Sequence, residues 1–404
     1  VNPPARYLVV AGLFILSLIT YVDRAAISSV KESLSADLAL SDQQMGAVFS
    51  AFALGYAIAQ VPSGWFADKA GPRLMLTAVV AAWSVLTAMT GWVESLLAML
   101  LVRFLFGIAE AGAFPGSARV FYSWLPSSEH GRANGIIFAA ARLGAAFAFP
   151  LMAWLLARYQ WRASFYILAM PGLVWALLWA LLFRNEPKQP LRRDAPSGNT
   201  VAASFGEVIR FRPMHLAMTQ YFFANFTTFL CLSWMNPYLK ERYELSTADA
   251  AYYTTAILLI AATAQWATGW LVDHLYRSRY REWSRRLPAM LGFGISAAGA
   301  VAIPFAPSPA VAAAFFSLAA FGAEMTISPS WAFCIDIGGV KSGAVSGMMN
   351  MLGNLGSFVS ANTFPFLQGL TGSAAAYFWL VALFNIGGSL CWMGMISGRP
   401  PMRQ

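Results

Sequence analysis

Along this chain, apolar runs of about 20 residues follow one another almost end to end, and each is the length an α-helix needs to cross the hydrocarbon core of a bilayer. A soluble chain of 404 residues would instead divide into two or three cores separated by polar loops. Charged residues make up only 11% of the sequence, against about 25% in ordinary soluble proteins, so water is not the main solvent of this fold. Runs bounded by charges or turn residues predict helices over 7–30, 44–67, 73–91, 95–120, 132–157 and 161–184, then over 213–239, 248–273, 287–305, 309–331, 342–367 and 374–396. The expected fold class is an all-α membrane protein with twelve transmembrane helices.

Residues 185–210, with prolines at 187, 190 and 196 and several charges, form the only long polar segment. They read as a cytoplasmic linker between six-helix bundles over 1–184 and 211–404. An internal repeat supports that division. Gly64-Trp65-Phe66-Ala67-Asp68 ends the second helix and Gly269-Trp270-Leu271-Val272-Asp273 ends the eighth, 205 residues on. Gly131, Gly135 and Leu143-Gly144 in the fifth helix recur as Gly343, Gly347 and Leu355-Gly356 in the eleventh, all 212 residues on. Parallel halves related by an axis along the membrane normal follow from such a pattern.

If the N-terminus is cytoplasmic, nineteen Lys and Arg residues lie on the inner side and five on the outer, Lys31, Arg158, Arg162, Lys240 and Arg242, with three inside the membrane. Positive residues resist translocation, so both termini are expected in the cytoplasm. The net charge of +9 is thereby explained by topology, and nucleic acid is not an expected partner. The first apolar run continues into Asp23-Arg24 and further membrane, not into a small-residue cleavage site, so it is expected to remain as a helix. A single N-x-[ST] sequon, at Asn225 inside a helix, favours a bacterial inner membrane. Cys231, Cys334 and Cys391 have neither disulfide nor zinc-site spacing and read as small buried residues.

Six charged residues fall inside apolar runs: Asp23 and Arg24 in the first helix, Arg103 and Glu110 in the fourth, Arg142 in the fifth and Glu324 in the tenth. Each charge near the bilayer centre costs about 2.5–3.5 kcal/mol on insertion scales, so function is the default reading. Helix rise puts Arg24 and Arg103 at a similar depth, with Glu110 on nearly the face of Arg103 and roughly 10 Å nearer the cytoplasm. Two arrangements are open. Asp23 and Arg103 could staple the two helices while Arg24 snorkels outward, or all four could face a shared aqueous cleft. Glu110 has no evident cation of its own in the sequence, and a carboxyl group so placed suits a proton carrier.

The loop after the second helix reads Gly64-x-x-x-Asp68-Lys69-x-Gly71-Pro72-Arg73. Its glycines permit close helix approach and a tight turn, and Asp68 can pair with cations at the cytoplasmic end. Asp273 repeats the acid in the second half without the glycine-basic tail, which predicts a weaker gate there. The loop is similar to the signature loop of the major facilitator superfamily. Arg103-Phe104-Leu105-Phe106-Gly107-Ile108-Ala109-Glu110-Ala111-Gly112-Ala113-Phe114-Pro115-Gly116, with Tyr21-Val22-Asp23-Arg24 before it, narrows the resemblance. So do Trp234-Met235-Asn236-Pro237-Tyr238-Leu239, Pro329-x-Trp331 before Asp336, and Ser346-Gly347 before Asn350 and Gly353-Asn354-Leu355-Gly356. Over nearly the whole chain the sequence resembles the anion:cation symporter family, which includes bacterial sugar-acid, phthalate and tartrate permeases and the animal vesicular glutamate and sialic acid transporters.

That resemblance implies protonation sites at Asp23 and Glu110, arginines 24 and 103 engaging a substrate carboxylate or its counter-ions, and a pocket lined by Tyr56 and Asn354. It also implies that breaking the Asp68 pairs accompanies inward opening. Independently of family, the planar fork of Arg24 or Arg103 can grip a carboxylate with two hydrogen bonds. Tyr56 reads equally as a packing ring, and Asn350 and Asn354 equally as interhelical hydrogen-bond partners. Arg142 departs from the family pattern: it could favour a substrate with two carboxylates, balance Glu324, or be structural.

The function implied is proton-coupled uptake of a small organic anion by a monomer embedded in lipid, with no cofactor and no metal. Sugar acids are the first expectation and aromatic or aliphatic dicarboxylates the second, with an exporter or exchanger as the rival within transport. A transporter-like sensor would need a longer signalling extension than the linker offers. An enzyme is not expected, because His130, His215 and His274 fall near helix ends and no nucleophile–base pair or metal cluster is present.

Overall fold

The computed structural model describes residues 3–187 and 210–395. Most of the expected linker, both chain ends, and Lys188, Arg192, Arg193, Arg399 and Arg403 of the charge count lie outside the described residues.

Among the described residues the regular structure is entirely helical. The first half carries α1 (Pro3–Ser29), α2 (Lys31–Asp37), α3 (Asp42–Ala70), α4 (Pro72–Thr90), α5 (Leu96–Glu110), α6 (Ala113–Trp124), α7 (His130–Leu156) and α8 (Trp161–Leu182). The second carries α9 (Arg212–Phe229), α10 (Met235–Arg242), α11 (Thr247–Tyr276), α12 (Arg286–Ala302), α13 (Pro309–Met325), α14 (Ile327–Gly338), α15 (Ser342–Thr371) and α16 (Ala375–Gly394).

Ten stretches of described residues are long and apolar enough to cross a membrane. One of them, Pro309–Thr371, holds two crossings separated by the short turn Gly339–Lys341. The remaining crossing is α9 and α10, joined by a π-helical turn, Leu230–Trp234, and made more polar than the rest by Gln220, Asn225, Thr227, Thr228 and Asn236. The chain therefore has the twelve-helix, two-bundle architecture.

Two features differ from the sequence expectation. The short helix α2 was not expected, because seven residues are too few to show a period. It is held by the buried Leu34 and by Asp37, which accepts hydrogen bonds from Arg162 and Trp161 at 3.0 and 3.2 Å. The fourth and tenth crossings are interrupted, at Ala111–Gly112 and at Thr326, and run on as α6 and α14.

The chain packs as two compact units, whose boundaries cut across two helices. One unit comprises Val1–Pro126, Ile136–Ala202 and Gly338–Gly347, and the other Ser127–Gly135, Ala203–Ile337 and Met348–Gln404. The starts of α7 and α15 thus belong to a different unit from the rest of each helix.

Lipid tails are as apolar as leucine, so membrane helices associate through close packing and polar contacts, which favours small residues at crossings. In the first unit α3 crosses α5 on paired glycines. A Cβ on Gly107 would fall 2.2 Å from the Phe52 carbonyl oxygen, and one on Gly55 would fall 2.1 Å from that of Phe104. This contact sets the separation of the two helices that carry Phe52, Tyr56, Arg103 and Glu110. Gly107→Ala should therefore destabilise the protein by at least the about 1–3 kcal/mol typical of overpacking. Gly46→Ala, where a Cβ would meet nothing within 4 Å, should not. Thermal unfolding of both variants in detergent checks this, and equal melting temperatures would show that the crossing is not tight.

Candidate functional site

The four charged residues of α1 and α5 converge inside the first unit. Arg24 Nε donates to Glu110 Oε1 at 2.8 Å, and Glu110 is fully buried. Glu110 thus has a cation of its own, contrary to the sequence reading, and Arg24 does not snorkel outward but reaches inward across helices. A long side chain spans the depth difference that helix rise alone suggested would separate the pair.

Aromatic rings fix the cation from the sides. The Arg24 guanidinium lies 4.3 Å from the Tyr56 ring centroid, 5.0 Å from that of Tyr21 and 5.4 Å from that of Phe52. Arg103 lies 4.8 Å from Phe106 and 5.3 Å from the same Phe52. A desolvated cation–π contact contributes up to about 2 kcal/mol, so two guanidinium groups share one ring that sequence reading did not single out. Tyr56 belongs to this cage, both packed and in contact with charge.

Asp23 and Arg103 are buried but form no ion pair with each other, so the staple arrangement is not the one adopted. Glu110, Trp83 and Arg103 are the electrostatic neighbours of Asp23. Both Asp23 carboxylate oxygens, Glu110 Oε2, Arg24 Nη2 and Arg103 Nε lack a hydrogen-bond partner. Unmade hydrogen bonds on buried charged groups are costly. A cluster with one pair made and acceptors and donors left over can lower its free energy by taking up protons or an anion.

At the end of α3, Asp68 accepts the backbone N–H of Gly343 and Ala344 at 3.0 and 2.8 Å, with Arg119 Nε at 3.8 Å. In the second unit Asp273 repeats this on Gly131 and Arg132, both at 2.9 Å, with Arg132 Nε at 3.9 Å and Arg285 Nη1 at 4.0 Å. Each carboxylate fills the unsatisfied first-turn donors of a helix, at the positive end of its dipole. Gly64 and Gly343 make this possible, since a Cβ on Gly64 would fall 2.3 Å from the Gly343 carbonyl oxygen. Although the glycine-basic tail is absent in the second half, Asp273 has the same number of backbone donors as Asp68. Of that tail, Lys69 lies over the Trp65 ring at 4.7 Å. Arg73 donates to the Ala180 carbonyl and, through its backbone N–H, to Asn185 at 2.8 Å, while Gly71, at φ 82°, turns the chain between α3 and α4.

Arg285, fully buried, donates to Asp336 at 3.0 Å and to the Ser127 carbonyl at 2.6 Å, while His130 Nδ1 meets the other Asp336 oxygen at 3.0 Å. In the sequence Asp336 stands out only within the family resemblance, and His130 falls near a helix end. Nothing in the spacing of three residues so distant in the chain could have joined them. Of the remaining candidates, Asn354 donates to the Asn350 carbonyl one turn back at 2.8 Å, Arg142 is half-buried on α7, and Glu324 is buried with Gln265 donating to it at 2.5 Å.

Comparison with known proteins agrees with this architecture. Residues 13–361 match the model of the Major Facilitator Superfamily. A probable sulfoacetate transporter, SauU, of Cupriavidus necator is 31% identical over 95% of this chain and 92% of its own length. A D-galactonate transporter of Escherichia coli is 27% identical over 95% of this chain and 94% of its own. The crystal structure of FucP in the outward conformation superposes with a TM-score of 0.76 at 16% identity, over 96% of this chain and 99% of that one, and shows the shared fold. The chain belongs to the Major Facilitator Superfamily, in its anion:cation symporter branch, a family of membrane transporters and not of enzymes. It is a multi-pass protein of the bacterial inner membrane type.

Two measurements probe the site. Arg24→Ala leaves Glu110 buried without its cation and should cost about 3–5 kcal/mol, much of it recovered in the Arg24→Ala/Glu110→Ala double variant; additive losses in chemical denaturation would show that the pair is not coupled. Asp68→Ala should speed amide exchange at Gly343 and Ala344 but not at Gly131 and Arg132. Asp273→Ala should do the reverse, and hydrogen–deuterium exchange reads both.

Proposed function

We propose that this chain is a proton-coupled symporter that takes up a small organic anion of the sugar-acid class by alternating access. The observation that carries the reading is the Arg24–Glu110 pair at 2.8 Å beside the unpartnered carboxylate of Asp23 and the unpartnered Nε of Arg103. Glu110 and a substrate carboxylate compete for one guanidinium. Protonation of Asp23 and Glu110 from the outer side removes the competitor and frees Arg24, with Arg103, to bind the anion. Loss of the Glu110 proton toward the cytoplasm restores the pair and expels the substrate. Coupling then follows from charge alone: anion without proton, or proton without anion, leaves an unbalanced charge in a buried site.

Tyr56 shapes the site around Arg24, and Asn350, Asn354 and Arg142 contribute polar groups to the substrate path. The Asp68 and Asp273 clasps act as the inner gate, with Gly64, Lys69, Gly71 and Arg73 shaping the first. Release of the two helix N-termini is the inward-opening step, and His130, Arg285 and Asp336 hold the same end of the second unit. Six helices to each side of a cytoplasmic linker, both termini in the cytoplasm and a monomeric state complete the reading.

The transport of D-galactonate by one relative supports an aldonate or hexuronate substrate. A second reading, a dianion such as sulfoacetate or a dicarboxylate, is favoured by the 31% identity to the sulfoacetate relative and by the extra cation Arg142. In proteoliposomes, an inward proton gradient should drive accumulation of the correct anion, and a protonophore should abolish it. Glu110→Gln should lose driven accumulation yet retain exchange of internal for external substrate. Intact driven accumulation in that variant would remove Glu110 from the coupling step.

A further inference from the structure

Four helix ends of the second unit surround an open cavity of about 570 Å³. They are the last turn of α10, the short turn Ile303–Phe305 that follows α12, the last turn of α15 and the first of α16. Helices that cross a bilayer end at the level of its headgroups, and the volume is within the range of small-molecule sites. The walls are fixed by the protein itself. Tyr243, just past α10, donates through its hydroxyl to the Ala306 carbonyl at 2.9 Å, which ties α10 to the end of α12. Between α15 and α16, Gly372 takes a φ of 68°, its N–H returns to the Gln368 carbonyl at 2.9 Å, and Ser373 Oγ accepts the Ala375 N–H at 3.1 Å. One wall is the buried Tyr238 ring, packed edge-on against Phe378 at 4.9 Å.

Two charged residues line the cavity, Glu241 and Arg242, adjacent at the end of α10 and of opposite sign. Arg242 bonds the Tyr238 hydroxyl, which uses only part of the five N–H groups of a guanidinium. Both side chains are exposed, so their charged groups are open to a ligand. Gln368 and Ser373 add an amide and a hydroxyl. Two aromatic rings complete the lining, Phe305 at 70% exposure and Trp379 at 51%. From Trp379, exposed apolar side chains continue along α16 at Leu383, Ile386 and Leu390, the spacing of a single helix face.

We propose that this cavity holds the headgroup of a phosphatidylethanolamine lipid, its phosphate on Arg242, its ammonium on Glu241 and an acyl chain along the exposed face of α16. A guanidinium grips phosphate oxygens with paired hydrogen bonds. The carboxylate beside it repels a purely anionic headgroup, and an ammonium group satisfies it. Ethanolamine carries N–H donors that a carboxylate can accept, whereas choline carries none, so the two charges separate lipids of equal net charge. Trp379 fits the assignment, because tryptophan gathers at the boundary between membrane and water. A soluble zwitterion meets the charges but leaves the α16 face bare, and that face is what favours a lipid. Occupancy ties four helix ends together and stabilises the protein by mass action.

Lipid retention by the purified, delipidated protein in detergent tests the site. The protein is offered phosphatidylethanolamine, phosphatidylcholine and phosphatidylglycerol with identical acyl chains, and native mass spectrometry counts the molecules bound. One phosphatidylethanolamine should be retained with a preference of about tenfold over the other two, the factor expected for one hydrogen bond to a charged group. Glu241→Gln should abolish that preference while phospholipid still binds, and Arg242→Gln should weaken all three lipids by about tenfold. Because both side chains are exposed, each variant should melt with the wild type before lipid is added and gain less than it when phosphatidylethanolamine is supplied. Equal retention of the three lipids, or a preference that survives Glu241→Gln, overturns the proposal. Glycerophosphoethanolamine, the same headgroup without acyl chains, should displace the lipid only at concentrations about a hundredfold higher, since it buries no chain. Displacement at equal concentration assigns the cavity to a soluble zwitterion and overturns the lipid reading.

Discussion

A hydrocarbon core does not solvate charge, and the rest of this structure follows from how the chain answers that constraint. Ionisable groups at membrane depth must be paired, neutralised or supplied with water, and the inner cluster of the first unit does the first only in part. Arg24 and Glu110 satisfy each other at 2.8 Å while Asp23 and the Nε of Arg103 are left over. An interior that were merely structural would have closed such a set completely. In the proposed cycle the incomplete pairing lets protons and an anion exchange places, while Tyr21, Phe52 and Tyr56 surround the Arg24 guanidinium.

That exchange is useful only on a scaffold that moves as rigid pieces. Lipid gives helices no hydrophobic reason to associate, so rigidity comes from backbone approach at glycine and from carboxylates seated on helix N-termini. Gly55 and Gly107 bring α3 against α5 at the charged cluster itself. Asp68 and Asp273 then tie the starts of α15 and α7 with two backbone hydrogen bonds each. A clasp made of backbone donors does not depend on side-chain identity at the helix start, and both halves use one.

Repetition with divergence is the other organising fact. The glutamine, glycine and aspartate of α3 recur at the same register in α11, and the glutamate before the break in α5 recurs before the break in α13. Arg24 donates to the first copy of the glutamate and Gln265 to the second.

The sequence by itself determined the solvent, the number of crossings, their approximate ends, the repeat and the identity of the buried charges, because each is a property of local composition or of periodic spacing: a run of about 20 apolar residues has no other stable place. Which charges pair was decided only by tertiary structure. Helix rise placed Glu110 below Arg24 and suggested it had no cation, but the long Arg24 side chain crosses that distance, and Arg103, closest in sequence, makes no hydrogen bond with it. Phe52 as a shared ring, Gln265 as a donor to Glu324, and the meeting of His130, Arg285 and Asp336 depend on helix rotation and on contacts between residues far apart in the chain. A period reports the face a residue occupies, and only packing decides what that face meets.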